Sequence, residues 1–218
     1  VVEEVSRLSL IRGRPAEFER TVQISGHLAA GRGALAGVND ACTAAVIVSQ
    51  QPPAIPRSQR VFDSSVGLYW ADFETGARDS LGILPGTELY PWEVGGRPVP
   101  VRVPFGRSSV WAVHERGLVW ASARDVSYRL LGPSGRTVRI VRWAAPSSPI
   151  TDAEWDSFEH SREQFLGQYP EEAARQPPQG YLPRPDEKPP YAAVKVDGRG
   201  RVWVQAYGSY DVYGPQNS

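Results

Sequence analysis

Three observations predict an all-β chain assembled from repeated antiparallel units. First, Gly117 to Pro133 (GLVWASARDVSYRLLGP) and Gly200 to Pro215 (GRVWVQAYGSYDVYGP) run in the same order: a glycine turn, a Val-Trp strand, a polar link, a Tyr-led strand and a Gly-Pro turn. A unit that recurs in order is one that stacks on copies of itself. Second, 21 Gly, 20 Pro and 7 Trp among 218 residues suit many short strands joined by tight turns, with large aromatics between them. Third, Ser109–Val113, Leu118–Ala123, Ser127–Leu131 and Thr137–Trp143 read as four successive strands separated by turn residues.

The remaining elements follow in chain order. Residues Glu4 to Ile11 alternate apolar and polar, a strand closing on Gly13. Gly26 to Gly37 (GHLAAGRGALAG) has the look of a nucleotide loop, but no Lys-Ser/Thr pair or following helix accompanies it, so a flexible small-residue loop is expected. A strand at Thr43–Ser49 comes next. Gln50 to Arg60 (QQPPAIPRSQR) is expected to be extended linker, because proline supplies no ladder donor and restricts its neighbour. Val61 to Leu84 reads as a hairpin turning at Glu74-Thr75-Gly76; its Tyr69 and Gly76 are spaced like Tyr128 and Gly135. Thr87 to Arg107 carries four prolines and is expected to be a connection with at most one short strand, Val99–Val103.

Trp120 and Trp203 lie 83 positions apart, whereas one four-stranded unit needs roughly 40 to 50 residues. The surplus is an insertion, Ala144–Pro190. Thr151-Asp152-Ala153-Glu154 is a capping box, and Trp155, Phe158, Phe165 and Leu166 form one face of the helix it starts, which Pro170 ends. Gln176–Pro190 is Pro-rich and expected to be irregular. The final unit, 191–218, opens with a hairpin turning at Asp197-Gly198, which corresponds to Val113-His114-Glu115-Arg116 in the earlier copy. The chain thus divides into a poorly patterned region 1–60, the clearest unit 61–143, the insertion 144–190 and a further unit that breaks off. No Met is present and Val1 opens the chain, so a piece of a longer product is expected.

VPFGRSSVWAV at Val103–Val113, the YRLLGPSGRTVRIVR strand pair, the PITDAE helix opening and VDGRGRVWVQ together resemble bacterial six-bladed β-propeller proteins of the NHL/TolB-like kind. RGRPAEF at Arg12–Phe18 looks like a worn copy of the turn that separates blades in that group. The resemblance covers Val61–Ser218 well and Val1–Arg60 poorly. It implies four-stranded antiparallel blades, about three to four of six being present. It also implies an exported protein, periplasmic, outer-envelope or secreted, with a lipid anchor possible outside this sequence. No catalytic motif comes with it.

Lys plus Arg equal Asp plus Glu at 24 each, so overall charge offers no reason to expect nucleic acid or an anionic membrane as partner. No apolar run is long enough to span a bilayer. The single Cys42 reads as a small buried hydrophobe rather than a reactive thiol. There is no G-x-S-x-G, no H-E-x-x-H and no P-loop, and no cofactor is expected.

Candidate residues each carry two readings. Trp70, Trp111, Trp120 and Trp203 could form an aromatic ligand box, but their repeat-related positions favour packing between units, as do those of Tyr128 and Tyr210. Asp152, Glu154, Asp156, Glu159 and Glu163 could pair for acid–base work; solvation of the outer helix face and the macrodipole explain them more simply, and His160 with them. His114 ends a strand where binding loops gather, although turn capping explains both it and its equivalent Asp197. A metal-dependent propeller hydrolase, lactonase or lyase would need carboxylates converging on an ion, for which Asn39, Asp40, Asp63, Asp125 and Asp197 are the candidates by type. The expected function is a non-enzymatic module binding a protein or small molecule through His114, Asp125 and Asp197 in loops and Trp155 and Phe158 on the insertion helix. Ser148–Tyr169 is either a partner-contacting element or a lid packed on the neighbouring unit.

Overall fold

The computed structural model describes residues 6–12, 17–24, 33–38, 44–50, 55–56 and 60–208. The expectations for the Gly13–Ala16 turn, most of the glycine-rich loop, Asn39, Asp40, Cys42, the bulk of the proline linker and Tyr210 fall outside these residues. Among the described residues the chain is mostly β, 47% strand against 13% helix, and its sheets are antiparallel with none closed, which agrees with the all-β expectation.

β1 (Ser6–Arg12) and β2 (Glu17–Ile24) pair as a hairpin. β3 (Gly33–Val38), β4 (Ala44–Gln50), β5 (Phe62–Asp72), β6 (Arg78–Val94) and β7 (Arg97–Arg102) form a five-stranded sheet in sequence order. β8 (Val110–His114), β9 (Gly117–Ala121), β10 (Ser127–Leu131) and β11 (Thr137–Arg142) form a four-stranded sheet, also in sequence order. β12 (Ala193–Val196) pairs with β13 (Val202–Gln205). The helix α1 (Asp152–Gln168) and the one-turn α2 (Pro170–Ala173) interrupt the strands.

Turn chemistry sets the corners. The Asp72 carboxylate accepts from the backbone N–H of Glu74 at 3.0 Å and of Thr75 at 2.8 Å, closing the β5–β6 hairpin and holding its own pKa below the usual value, the Thr75 N–H most of all. At the β10–β11 corner Gly135 has φ 75°, and a Cβ there would stand 2.7 Å from the Leu81 carbonyl oxygen. Only glycine fits where one corner closes so tightly on the backbone of another sheet.

The four strands from Val110 to Arg142 lie where the sequence places them, whereas the expected connection Thr87–Arg107 does not exist as such. β6 runs on through Pro85 and Pro91 to Val94 and turns into β7, which contains Pro98 and Pro100. The register explains the tolerance: Pro91 faces Pro100 and Glu93 faces Pro98, positions of one parity. In an antiparallel ladder alternate pairs exchange no hydrogen bonds, so a proline nitrogen at that parity points away from the partner strand and no donor is missed. The sheet therefore has five strands, one more than the four-stranded unit expected.

The layers stack face to face. Val46, Leu68, Trp70 and Leu81 of the five-stranded sheet pack against Leu118, Trp120 and Leu131 of the next sheet. The opposite face of that sheet, Val119 and Ala121, packs with Tyr191 and Val194 and with Val202 and Val204 of the β12–β13 hairpin. β9 is sandwiched between them and buried along its whole length. Trp70 and Trp120 are buried and Trp111 packs beside them, while Tyr128 lies 6.3 Å from Trp143, so these aromatics fill the inter-sheet layers. Trp203 differs: it is 58% exposed.

The capping box of α1 is formed as the sequence predicts, with Thr151 Oγ1 accepting from Glu154 N–H and the Glu154 carboxylate accepting from Thr151 N–H. Its buried face differs from the purely apolar one expected. Phe158 is buried, but so are Glu159 and Arg162, which pair at 3.5 Å, and Arg162 also donates to the Pro177 carbonyl. Glu159 therefore does not belong to a solvated outer face, the reason being a partner one turn along the same helix.

Candidate functional site

Two left-handed residues frame the principal cleft. Phe105, in the loop after β7, and Ala123, in the loop after β9, both have φ 52° and neither is glycine. Such backbone persists only where surroundings hold it, and it concentrates at ligand sites. Here Tyr191 supplies the restraint at Ala123. Its hydroxyl accepts from Ala123 N–H at 2.7 Å and lies within hydrogen-bond reach of the Asp125 and Ser127 carbonyls, and burial pushes the phenol pKa up. At Phe105 the ring is clamped by Trp155 and Phe158 at 6.2 and 6.3 Å.

Between these loops lies a cleft of about 790 Å³ walled by Trp143, Tyr207 and prolines, with Arg107, Arg124, Glu187 and Lys188 at its rim. A second depression of about 460 Å³ continues it past Arg107 toward Glu88 and Pro183. The rim charges are tied together. Arg124 pairs with Asp63 and approaches Glu88 at 3.7 Å, and Arg107 stands 3.9 Å from the same Glu88, whose carboxylate accepts from Arg107 N–H at 2.8 Å. The Asp63 contact pushes the Arg124 pKa up. On the opposite lip Ser147 donates to Glu187 at 2.6 Å and Lys188 pairs with Glu154, whose carboxyl is held down to about 2, chiefly by Lys188. A polar rim over aromatic walls can orient and hold a ligand.

The residues singled out from sequence do not gather here. His114 and Asp197 sit at adjoining hairpin corners. His114 Nδ1 accepts from Arg116 N–H at 3.1 Å, which places the ring proton on Nε2, 3.2 Å from the Gly200 carbonyl oxygen it donates to. Asp197 accepts from Arg199 and Arg201 N–H, both at 3.0 Å, and from Trp203 Nε1 at 3.0 Å. The Trp203 bond comes first among the causes that hold its pKa well below the ordinary carboxylate value. Both residues thus cap turns. Asp125 is exposed at the edge of the Ala123 loop, close to the cleft. Trp155 and Phe158 come together at 5.3 Å and dock α1 on Phe105 and Val101 of the five-stranded sheet, so the insertion is packed down and Phe158 is buried. Asp152 and Glu154 pair with Arg184 and Lys188 of the Pro-rich segment, and His160 meets Gln164 at 2.9 Å.

Asp63, Asp125 and Asp197 do not converge, and among the described residues no group of three His, Cys, Asp or Glu side chains is placed to hold a metal ion. No helix among them is long and apolar enough to cross a membrane. The cleft residues Arg107, Arg124, Glu88 and Tyr191 escaped the sequence reading. Arg124 and Asp63 are 61 positions apart, and only the stacking of sheets brings them together. The one visible signal was a charged Arg124-Asp125 inside the otherwise bland link of the repeat. In comparisons with known proteins, no family model matches the chain and neither a curated protein nor a solved structure is significantly similar to it.

Proposed function

We propose that the chain is part of a six-bladed β-propeller of the NHL/TolB-like kind and acts as a non-enzymatic binding or scaffold module of the bacterial envelope or exterior. The observation that carries this reading is the face-to-face stacking of three consecutive antiparallel units in chain order, with a cleft between the loops at their ends. β3 to β6 run as a meander of the same order as β8 to β11, and β7 extends the first of these along the second half of β6. Export rests on the family resemblance alone. The metal-dependent hydrolase alternative draws no support from Asp63, Asp125 and Asp197, which stand apart.

A photo-crosslinker placed at Ser147, on the cleft lip, tests the binding role in a bacterial envelope extract. A species captured by the wild-type chain and lost in the Arg107→Ser/Arg124→Ser variant, at matched folding by circular dichroism, is the expected result. Capture of nothing, or capture indifferent to the two arginines, overturns it. The architecture has its own test in a crystal structure: successive sheets must rotate about one axis, and a flat stack would rule out the ring.

A further inference from the structure

We infer that the outer edge of β11 is a docking strand for an extended acidic peptide, which adds to the four-stranded sheet as a fifth strand. β11 ends the sheet order, so its outward N–H and C=O groups have no ladder partner among the described residues. Sheet edges are ordinarily blunted by proline, a bulge or a covering element; β11 has no proline, its irregularity falls at Val138 near the turn and leaves Arg139 to Arg142 in regular register, and Val138 and Ile140 lie open on it at 64% and 40% exposure.

Charge defines the occupant. The chain is neutral overall, yet Arg124 to Arg142 holds five arginines against the single Asp125. Arg136, Arg139 and Arg142 are exposed and form no ion pair among the described residues. Register puts Arg139 opposite Leu130 and Arg142 opposite Ser127, so the two guanidiniums project from opposite faces of the strand. Beside the strand Arg124, Arg129 and Arg142 border a depression of about 510 Å³. An incoming strand carries side chains alternately on its two faces, so glutamates at alternate positions meet Arg139 on one face while the residues between them cover Ile140 on the other, the face that it shares with Arg142.

Other occupants fit less well. Two β11 edges brought together would set arginines against arginines, which opposes self-pairing. The acidic helix α1 of a second copy offers no free backbone to the edge, and its Asp152 and Glu154 are already paired. A nucleic acid would use the arginines but neither the ladder groups nor the apolar side chains.

This surface shares Arg124, Val126 and Trp143 with the cleft but neither Arg139 nor Arg142, so variants at those two arginines test it separately. The probe is a fluorescein-labelled octapeptide of alternating Glu and Val, followed by anisotropy with the full chain. Saturable binding is expected that weakens severalfold between about 0.05 and 0.3 M salt as exposed charges are screened. The Arg139→Ser/Arg142→Ser variant, whose side chains are exposed and unpaired, should bind at least about tenfold more weakly with an unchanged melting temperature. N-methylation of alternate peptide nitrogens should abolish binding by removing ladder donors. The inference is overturned by an unbound probe, by equal binding of the N-methylated peptide or of the Lys/Val counterpart, or by a labelled oligothymidylate that binds more tightly through the same arginines. Sedimentation showing a dimer that Arg139→Glu dissociates would also overturn it, in favour of a second copy.

Discussion

The hairpins β8–β9 and β12–β13 carry one sequence pattern into two different environments. In each, a side chain at the turn caps the N–H two residues on: His114 for Arg116, Asp197 for Arg199. Each tryptophan donates its indole N–H, Trp120 to Ser109 and Trp203 to Asp197, and each has a guanidinium 5.5 Å over its ring, Arg129 and Arg201. Yet Trp120 is 7% exposed and Trp203 58%. Trp120 has the five-stranded sheet in front of it, and Ser109 passes its hydrogen bond on to the Pro85 carbonyl of that sheet. The repeat therefore encodes the hairpin and its local contacts, while the neighbouring layer decides whether the aromatic becomes core.

The largest break in this equivalence is expected from tryptophan truncation. Trp120→Ala should cost about 3–5 kcal/mol by emptying the inter-sheet layer, while Trp203→Ala should cost less than about 1 kcal/mol. Urea unfolding of the two variants measures the difference, and equal losses would mean that β12–β13 is as deeply packed as β8–β9. A smaller effect belongs to the tie between the hairpins. His114→Ala leaves Arg116 N–H and the Gly200 carbonyl without their partner, a loss of about 1–3 kcal/mol, and hydrogen exchange at Arg116 should speed up. The smallest concerns acid. Asp197 and Glu154 titrate below their ordinary range in the folded chain, so the unfolded chain takes up protons first as pH falls. Their contribution is complete above an unfolded value of about 4 and is lost as pH drops toward the folded values, about 2 for Glu154. Asp197→Asn should flatten the fall in melting temperature between about pH 4 and 2, and Lys188→Met should do the same through Glu154; an unaltered slope would show that neither carboxyl is held as described.

Local chemistry was legible in the sequence wherever it acts over a few residues. The α1 capping box, the glycine corners at Gly76 and Gly135 and the four strands from Val110 to Arg142 depend on neighbours within one turn or one alternation. What escaped depends on partners far along the chain. The exposure of Trp203, the burial of Glu159 against Arg162 and the Arg124–Asp63 contact are decided by which faces meet, and no periodicity reports that. The prolines of β6 and β7 misled for another reason: proline counts against a strand on average, whereas its effect in a ladder depends on parity, which appears only once the register is known.

That parity has a consequence for folding fidelity. If β7 slipped by one residue on β6, Pro98 and Pro100 would turn their nitrogens toward β6 and the ladder would lose two donors at once. A slip of two residues restores the parity but leaves an overhang at the Gly95-Gly96 turn. The residues that made this segment look like a passive connector thus act as a checksum on the pairing, rejecting every odd misalignment before the hairpin can close.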